Sequence, residues 1–245
     1  MAGNIRKVFD FIRYDNDLFI SFLWGTTAGI VSQGLNFITN ILIARILQES
    51  LGDLTILVSA NAALQTFSVF GLSTMATVLI AKRTKNISKL ISIIPSMYGI
   101  VLLNSFIMSM IALLVNKTNP LGFVIWPGQS ANAIWMSVIW LLFSSIDVLQ
   151  VGLIIGLNKF RTLALVSLIR GAVSLLLIFP LVKIWGVTGG VAGYTISYGI
   201  CSLVSFILIC REVKGLVKKF SFNRVFNIPA IKYILHYSFP IFLAS

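Results

Sequence analysis

Charge is scarce in this sequence. Only 11% of its 245 residues are Asp, Glu, Lys or Arg, against about 25% in a soluble domain. Seven residues are acidic, histidine occurs once, as His236, and cysteine twice, as Cys201 and Cys210. His236 has no Cys, His or acidic cluster beside it, so a metal site would lack its ligands and no metal or other cofactor is expected. The two cysteines fall in one apolar run without metal-ligand spacing and read as membrane-packed thiols, with no disulfide framework. Glycine is never followed by lysine, which excludes a GxxxxGK[ST] phosphate loop and ATP hydrolysis through one. Glu49 and Asp53 stand four apart in a short loop with no histidine or second acidic pair nearby, so they read as solvated loop residues, not a catalytic pair. Long polar loops are also missing, and a membrane glycosyltransferase or polymerase needs one for its chemistry. The sequence therefore points away from an enzyme.

Apolar residues fill the space that charge leaves. They make up 58% of the chain, and mean hydropathy is +0.96. A helix needs about 20 apolar residues to cross a bilayer. Six runs meet that length, at about 18–44, 54–81, 90–115, 133–157, 163–182 and 187–209. The expected fold is all-α: a polytopic membrane protein with a six-helix transmembrane lobe over residues 1–228 and the start of a seventh helix over 229–245. After Pro229 the apolar run Tyr233–Ser245 is too short to span, so the chain is expected to stop inside a seventh span. Residues 1–17 read as a short polar leader, unlike a cleavable signal peptide.

The net charge of +12 invites a nucleic-acid reading, but the distribution of the basic residues argues for topology instead. With the apolar runs as spans, Lys and Arg alternate strictly between loops. One side holds the leader bases, Lys82, Arg83, Lys85, Lys89, Lys159, Arg161 and the bases from Arg211 to Lys232; the other holds only Arg45, Lys117 and Lys183. The heavier side, with the N-terminus, is expected in the cytoplasm. Nucleic acid is not an expected partner; membrane lipids are. Val213, Leu216, Val217 and Phe220 share a helical face flanked by Lys214, Lys218 and Lys219, which fits either a segment lying on an anionic leaflet or a solvated linker.

The informative polar residues lie inside the spans. Asp147 precedes Lys159 by 12 positions and Arg170 follows it by 11. At about 1.5 Å rise per residue, both charges sit roughly 16–18 Å from the break near Asn158, at matching depth on antiparallel helices. A charge at the bilayer centre costs about 2.5–3.5 kcal/mol on insertion scales. The two opposite charges are thus an internal ion pair or the lining of a cavity. Gln33, Asn36 and Asn40 share one helical face, as do Asn61, Gln65 and Ser68 on the next span, and Gln150 follows Asp147 by a turn. These amides are interhelical hydrogen-bonding groups or the wall of a wet cavity. Gly25 and Gly29 form a GxxxG pair, and Gly186, Gly190, Gly193 and Ser197 a small-residue stripe; both predict close helix packing. Arg45, ending the first span, reads as a snorkelling arginine or a headgroup contact at the outer mouth.

Some of these stretches resemble a known family. Ala44-Arg45-Ile46-Leu47 resembles the Ala-Arg-x-Leu-Gly signature of bacterial polysaccharide flippases, with Gln48 where the signature has glycine and Asp53 where a second small residue is common. Gly156-Leu157-Asn158-Lys159-Phe160 resembles that family's break between spans 4 and 5, Gly186 to Gly193 its start of span 6, and Tyr237-Ser238-Phe239-Pro240 its start of span 7. The family lies in the superfamily that also holds lipid II flippases and multidrug extrusion transporters. The resemblance implies two six-helix lobes around a central cavity, of which this chain would be the first. It also implies alternating access in the bacterial cytoplasmic membrane, with a polyprenyl pyrophosphate-linked oligosaccharide as substrate and the C-terminal lobe as partner. Arg170 would then meet the pyrophosphate or an acidic sugar. Two other readings stay open: an ion-coupled drug exporter, for which one buried acid is few, and a non-transporting scaffold or inactive fragment.

Overall fold

The computed structural model describes the backbone of residues 2–83, 87–118, 125, 130–213, 234 and 238, and the side chains of 23–81, 93–118, 125, 130–213, 234 and 238. The regular elements among them are all helical: α1 (Ala2–Leu47), a 3-10 turn (Gln48–Ser50), α2 (Leu51–Val69), α3 (Leu72–Arg83), α4 (Ile87–Thr118), α5 (Ala131–Gly156) and α6 (Phe160–Glu212). Among the described residues three helices are long and apolar enough to cross a membrane, or four where the bent pair meeting at Phe70–Gly71 counts as one span. The polar leader is not a separate segment, because α1 runs unbroken from Ala2. The basic segment after Val213, His236 and, apart from Ile234 and Ser238, the apolar run from Tyr233 lie outside the described residues.

The breaks at 48, 70–71, 158 and 186 each have a local cause. Gln48, Phe70, Gly71 and Asn158 all take positive φ, which ends a right-handed helix. Within α6, Gly186 takes φ 58° and ψ −133°, a conformation open essentially to glycine alone. The chain reverses there. Gly189 lies against the carbonyl of Leu181, Gly190 against Val182 and Gly193 against Ile178. From Gly190 on Val182 to Gly193 on Ile178 the partners step in opposite directions along the chain, so residues 160–185 and 187–212 form an antiparallel hairpin. Gly190 and Gly193 thus do the close packing expected of the stripe, whereas Gly186 has nothing within 4 Å of a Cβ placed on it and serves the turn. Gly25 and Gly29 mark no tight contact. A Cβ on Gly25 would lie 3.9 Å from Phe160 and one on Gly29 would meet nothing within 4 Å. Helix α1 instead meets α6 where Ser32 and Leu35 face Gly171.

Other contacts set the relative directions of the helices. The Ser73 hydroxyl donates to the Val148 carbonyl (2.9 Å) and Thr77 to the Gly152 carbonyl (3.0 Å), so both strands of contact advance together and α3 runs parallel to α5. Thr195 donates to the Met136 carbonyl (3.1 Å), and Ser130 pairs with Thr188, which makes α5 parallel to the second arm of α6. Helix α1 is parallel to the first arm by the same reasoning, through Ser32 on Gly171 and Asn36 on Ser174. The turn at 157–159 and the end of α6 meet, with Lys159 Nζ 2.7 Å from Glu212 Oε2.

The interior has two apolar clusters. One, towards the Lys159 end, holds Leu72, Met75, Ile94, Met97, Leu149 and Leu153. The other, towards Gly186, holds Ile43, Leu57, Trp140, Ile178 and Val191. Buried polar side chains occupy the belt between them: Ser144, Ser145, Asp147, Ser174, Ser197 and Ser202. Apolar residues also dominate the outside, including Ile30 (69% exposed), Leu176 (70%) and Leu203 (63%), as expected where the solvent is hydrocarbon.

Candidate functional site

The tight turn after α5 decides what meets at mid-depth. Asn158 takes φ 56°, which asparagine tolerates better than most residues. Helix α6 therefore returns along α5, and residues equidistant from the turn come face to face. Arg170 Nη2 donates to Asp147 Oδ1 at 2.6 Å and lies 2.5 Å from Oδ2. Two charges that the sequence only set at equal depth are thus an ion pair.

The pair is asymmetric. The Asp147 side chain is 1% exposed, whereas that of Arg170 is 24% exposed. Asp147 is enclosed by protein, while Arg170 reaches a cavity of about 230 Å³ lined also by Asn36, Asn40, Ser174, Tyr194 and Tyr198. The guanidinium carbon stands 5.7 Å from the centroid of the Tyr198 ring, a cation–π contact. Arg170 Nε is buried and has no hydrogen-bond partner. Asn36 Oδ1 accepts from the Ser174 hydroxyl at 3.2 Å, which ties α1 to the same wall. A larger cavity of about 440 Å³ lies between α1 and α2, and Asn40 and Tyr194 line both.

Of the residues singled out in the sequence, Arg170, Asn36 and Asn40 are brought together around one cavity, with Asp147 holding Arg170 from behind. The others do not line it. Gln33 shares the face of Asn36 and Asn40 but lies nearer the start of α1, exposed and short of the cavity, and Arg45 is exposed at the helix end. Asn61 and Gln150 are buried, at 2% and 1% exposure, and Gln65 is half-buried on α2. Both polar side-chain atoms of Asn61 lack a partner. Sequence reasoning missed the aromatic wall. Tyr194 and Tyr198 lie one helical turn apart, and Trp140 of α5 packs against both, stacked on Tyr194 at 5.0 Å with an 11° interplanar angle and tilted against Tyr198 at 6.2 Å. The only sequence signal was two polar-tipped aromatics at i, i+4 in mid-span. Among the described residues no group of three or more His, Cys, Asp or Glu could hold a metal ion.

Chemically, the cavity offers one cation held in place by a buried carboxylate, flanked by amides, hydroxyls and aromatic rings. It suits an anion carrying hydroxyl groups better than an apolar molecule or a bare cation.

Comparison with known proteins agrees with this architecture. A solved MOP superfamily transporter from Pyrococcus furiosus, reported with a binding pocket of reversed polarity suggesting a different function, superposes with a TM-score of 0.60 at 15% identity. The match covers 93% of this chain and 52% of that one, so the chain spans about half the length of the transporter whose fold it shares. Comparison with curated proteins gave no match. The sequence profile described as polysaccharide biosynthesis protein fits residues 19–245. Since that profile extends over nearly every helix that builds the cavity, the chain belongs to the polysaccharide biosynthesis protein family.

Proposed function

We propose that this chain forms one lobe of a transporter that flips a lipid-linked oligosaccharide across the bacterial cytoplasmic membrane by alternating access, for surface polysaccharide assembly. In this reading the N-terminus lies in the cytoplasm, and a second lobe completes the pathway. The substrate is a polyprenyl pyrophosphate carrying sugars. No catalytic residue and no cofactor take part.

The observation that carries the proposal is the opening of Arg170 into a polar cavity within an apolar membrane body. A sugar headgroup cannot cross hydrocarbon bare, because each unpaired polar group costs several kcal/mol. Amides of α1 and hydroxyls of α6 supply replacement hydrogen bonds, and Arg170 supplies a counter-charge for the pyrophosphate. Asp147 keeps the guanidinium extended and costs no cavity space, since it lies behind it.

A neutral pair tests this. The variant Asp147→Asn with Arg170→Gln removes both charges and leaves no stranded ion, so it should reach normal abundance in the membrane. Export of surface polysaccharide should fall at least tenfold, as expected for loss of a charge-assisted contact worth about 1.5–3 kcal/mol. Normal export at normal abundance would give the pair a purely structural role and sink the proposal.

A further inference from the structure

Tyr194 occupies a position that the anion reading does not use. Its ring lies nearly parallel to that of Trp140, 5.0 Å centroid to centroid, and Trp140 is 5% exposed. One face of the tyrosine is therefore backed by a rigid, buried indole. The accessible part of the half-buried ring is the side turned away from Trp140, and it borders both the cavity that holds Arg170 and the larger cavity between α1 and α2. Asn40 borders both as well, from α1. An aromatic ring fixed from behind, facing open space beside an amide, matches what a pyranose presents. The C–H face of a sugar ring packs on an aromatic face, and its hydroxyls need donors and acceptors at the rim. Simple core packing would explain the Trp140 stack. It would not explain why the ring and an exposed amide meet at the junction of two cavities, next to the cation.

We propose that Tyr194 and Asn40 form a sugar-binding subsite, in which Tyr194 stacks on the saccharide ring next to the diphosphate and Asn40 hydrogen-bonds its hydroxyl or N-acetyl groups. The inference rests on the assignment of Arg170 to the pyrophosphate. The subsite would make transport depend on the first sugar of the chain, while Arg170 responds to the anion whatever sugar it bears.

Two probes separate these roles: a short-chain prenyl diphosphate, and the same diphosphate carrying one N-acetylhexosamine. Binding of each to the full-length protein in nanodiscs is measured by calorimetry. The wild type should bind the sugar-bearing probe about tenfold tighter than the bare one. Tyr194→Leu should erase that preference, read as the ratio of the two affinities, while Tyr194→Phe, which keeps the ring, should retain it. Asn40→Ala, at an exposed position where folding is insensitive, should reduce the preference severalfold, and it tests the subsite even where Tyr194→Leu fails to fold. Equal binding of both probes by the wild type, or an undiminished preference in Asn40→Ala and Tyr194→Leu, would overturn the subsite and leave the anion reading intact. Binding of the bare diphosphate that the Asp147→Asn, Arg170→Gln variant does not weaken would overturn the anion reading instead. Failure of both probes to bind the wild type would overturn both readings.

Discussion

At the scale of single residues, the enclosed aspartate and the accessible arginine should respond unequally to loss of the other. Arg170→Gln leaves Asp147, 1% exposed, as an uncompensated buried charge; a stranded partner of a buried pair costs about 3–5 kcal/mol. Asp147→Asn leaves Arg170 able to turn its guanidinium to the cavity, where its side chain is already 24% exposed, so the cost should stay near that of one charged hydrogen bond, about 1.5–3 kcal/mol. Thermal midpoints of the two purified variants compare them directly, and an equal or reversed order would refute the asymmetry. Gln48 gives a second residue-scale case. It holds φ 42° at the end of α1, the position that the flippase signature fills with glycine. Gln48→Gly removes the Cβ strain of a left-handed residue and should stabilise the protein by about 0.5–1 kcal/mol, seen as a raised midpoint.

The scale of the element shows why glycines of similar appearance in the sequence are unequal. Gly152 on α5 faces the Ser73 backbone, and a Cβ on Gly156 would come within 2.9 Å of the Ile80 Cβ. These two glycines let α3 and α5 approach closely enough for Ser73 and Thr77 to reach backbone carbonyls across the interface. Gly152→Ala should push the helices apart and cost about 1–3 kcal/mol through overpacking. Gly29→Ala, with open space around it, should be neutral or slightly stabilising through helix propensity. At Gly186 the space is open but φ is 58°, so Gly186→Ala should cost about 1–3 kcal/mol through backbone strain alone. Melting of the four proteins in parallel checks the set. Gly29→Ala as damaging as Gly152→Ala would show that the α1 glycines pack in some way the helix contacts do not reveal. The surface pair between Lys159 and Glu212, half and one-third exposed, should matter little: Glu212→Gln should cost less than about 1 kcal/mol, and the loss should vanish at high salt.

On the scale of the whole molecule, the loop charges and the helix directions speak to the same question. Helices α3 and α5 and the second arm of α6 run one way, and α1 and the first arm of α6 run the other. Lys159 and Arg211 therefore lie at one end, with Lys183 at the other. With the basic end in the cytoplasm, a cysteine placed at position 117 should react with an impermeant maleimide in intact cells, and one at position 85 only after permeabilisation. Cys201 is buried, so only Cys210 needs replacement beforehand. Labelling at 85 but not at 117 would invert the topology.

What the sequence determined by itself is whatever the medium imposes everywhere along the chain. A bilayer demands long apolar helices and confines charge to loops, so class, charge asymmetry and the matching depth of Asp147 and Arg170 are legible from spacing alone. Helical periodicity also put Asn36 and Asn40 on one face. Periodicity cannot choose which face of one helix meets which face of another. That choice depends on side-chain fit at three or more helices at once, and only the tertiary structure made it. It left Gln33 short of the cavity, enclosed Asn61 and Gln150, closed the Asp147–Arg170 pair, and brought Tyr194 and Tyr198 of α6 across to Asn40 of α1. It likewise divided the glycines into turn, contact and bystander, because a missing Cβ has meaning only once a neighbour, or a positive φ, is there to require it.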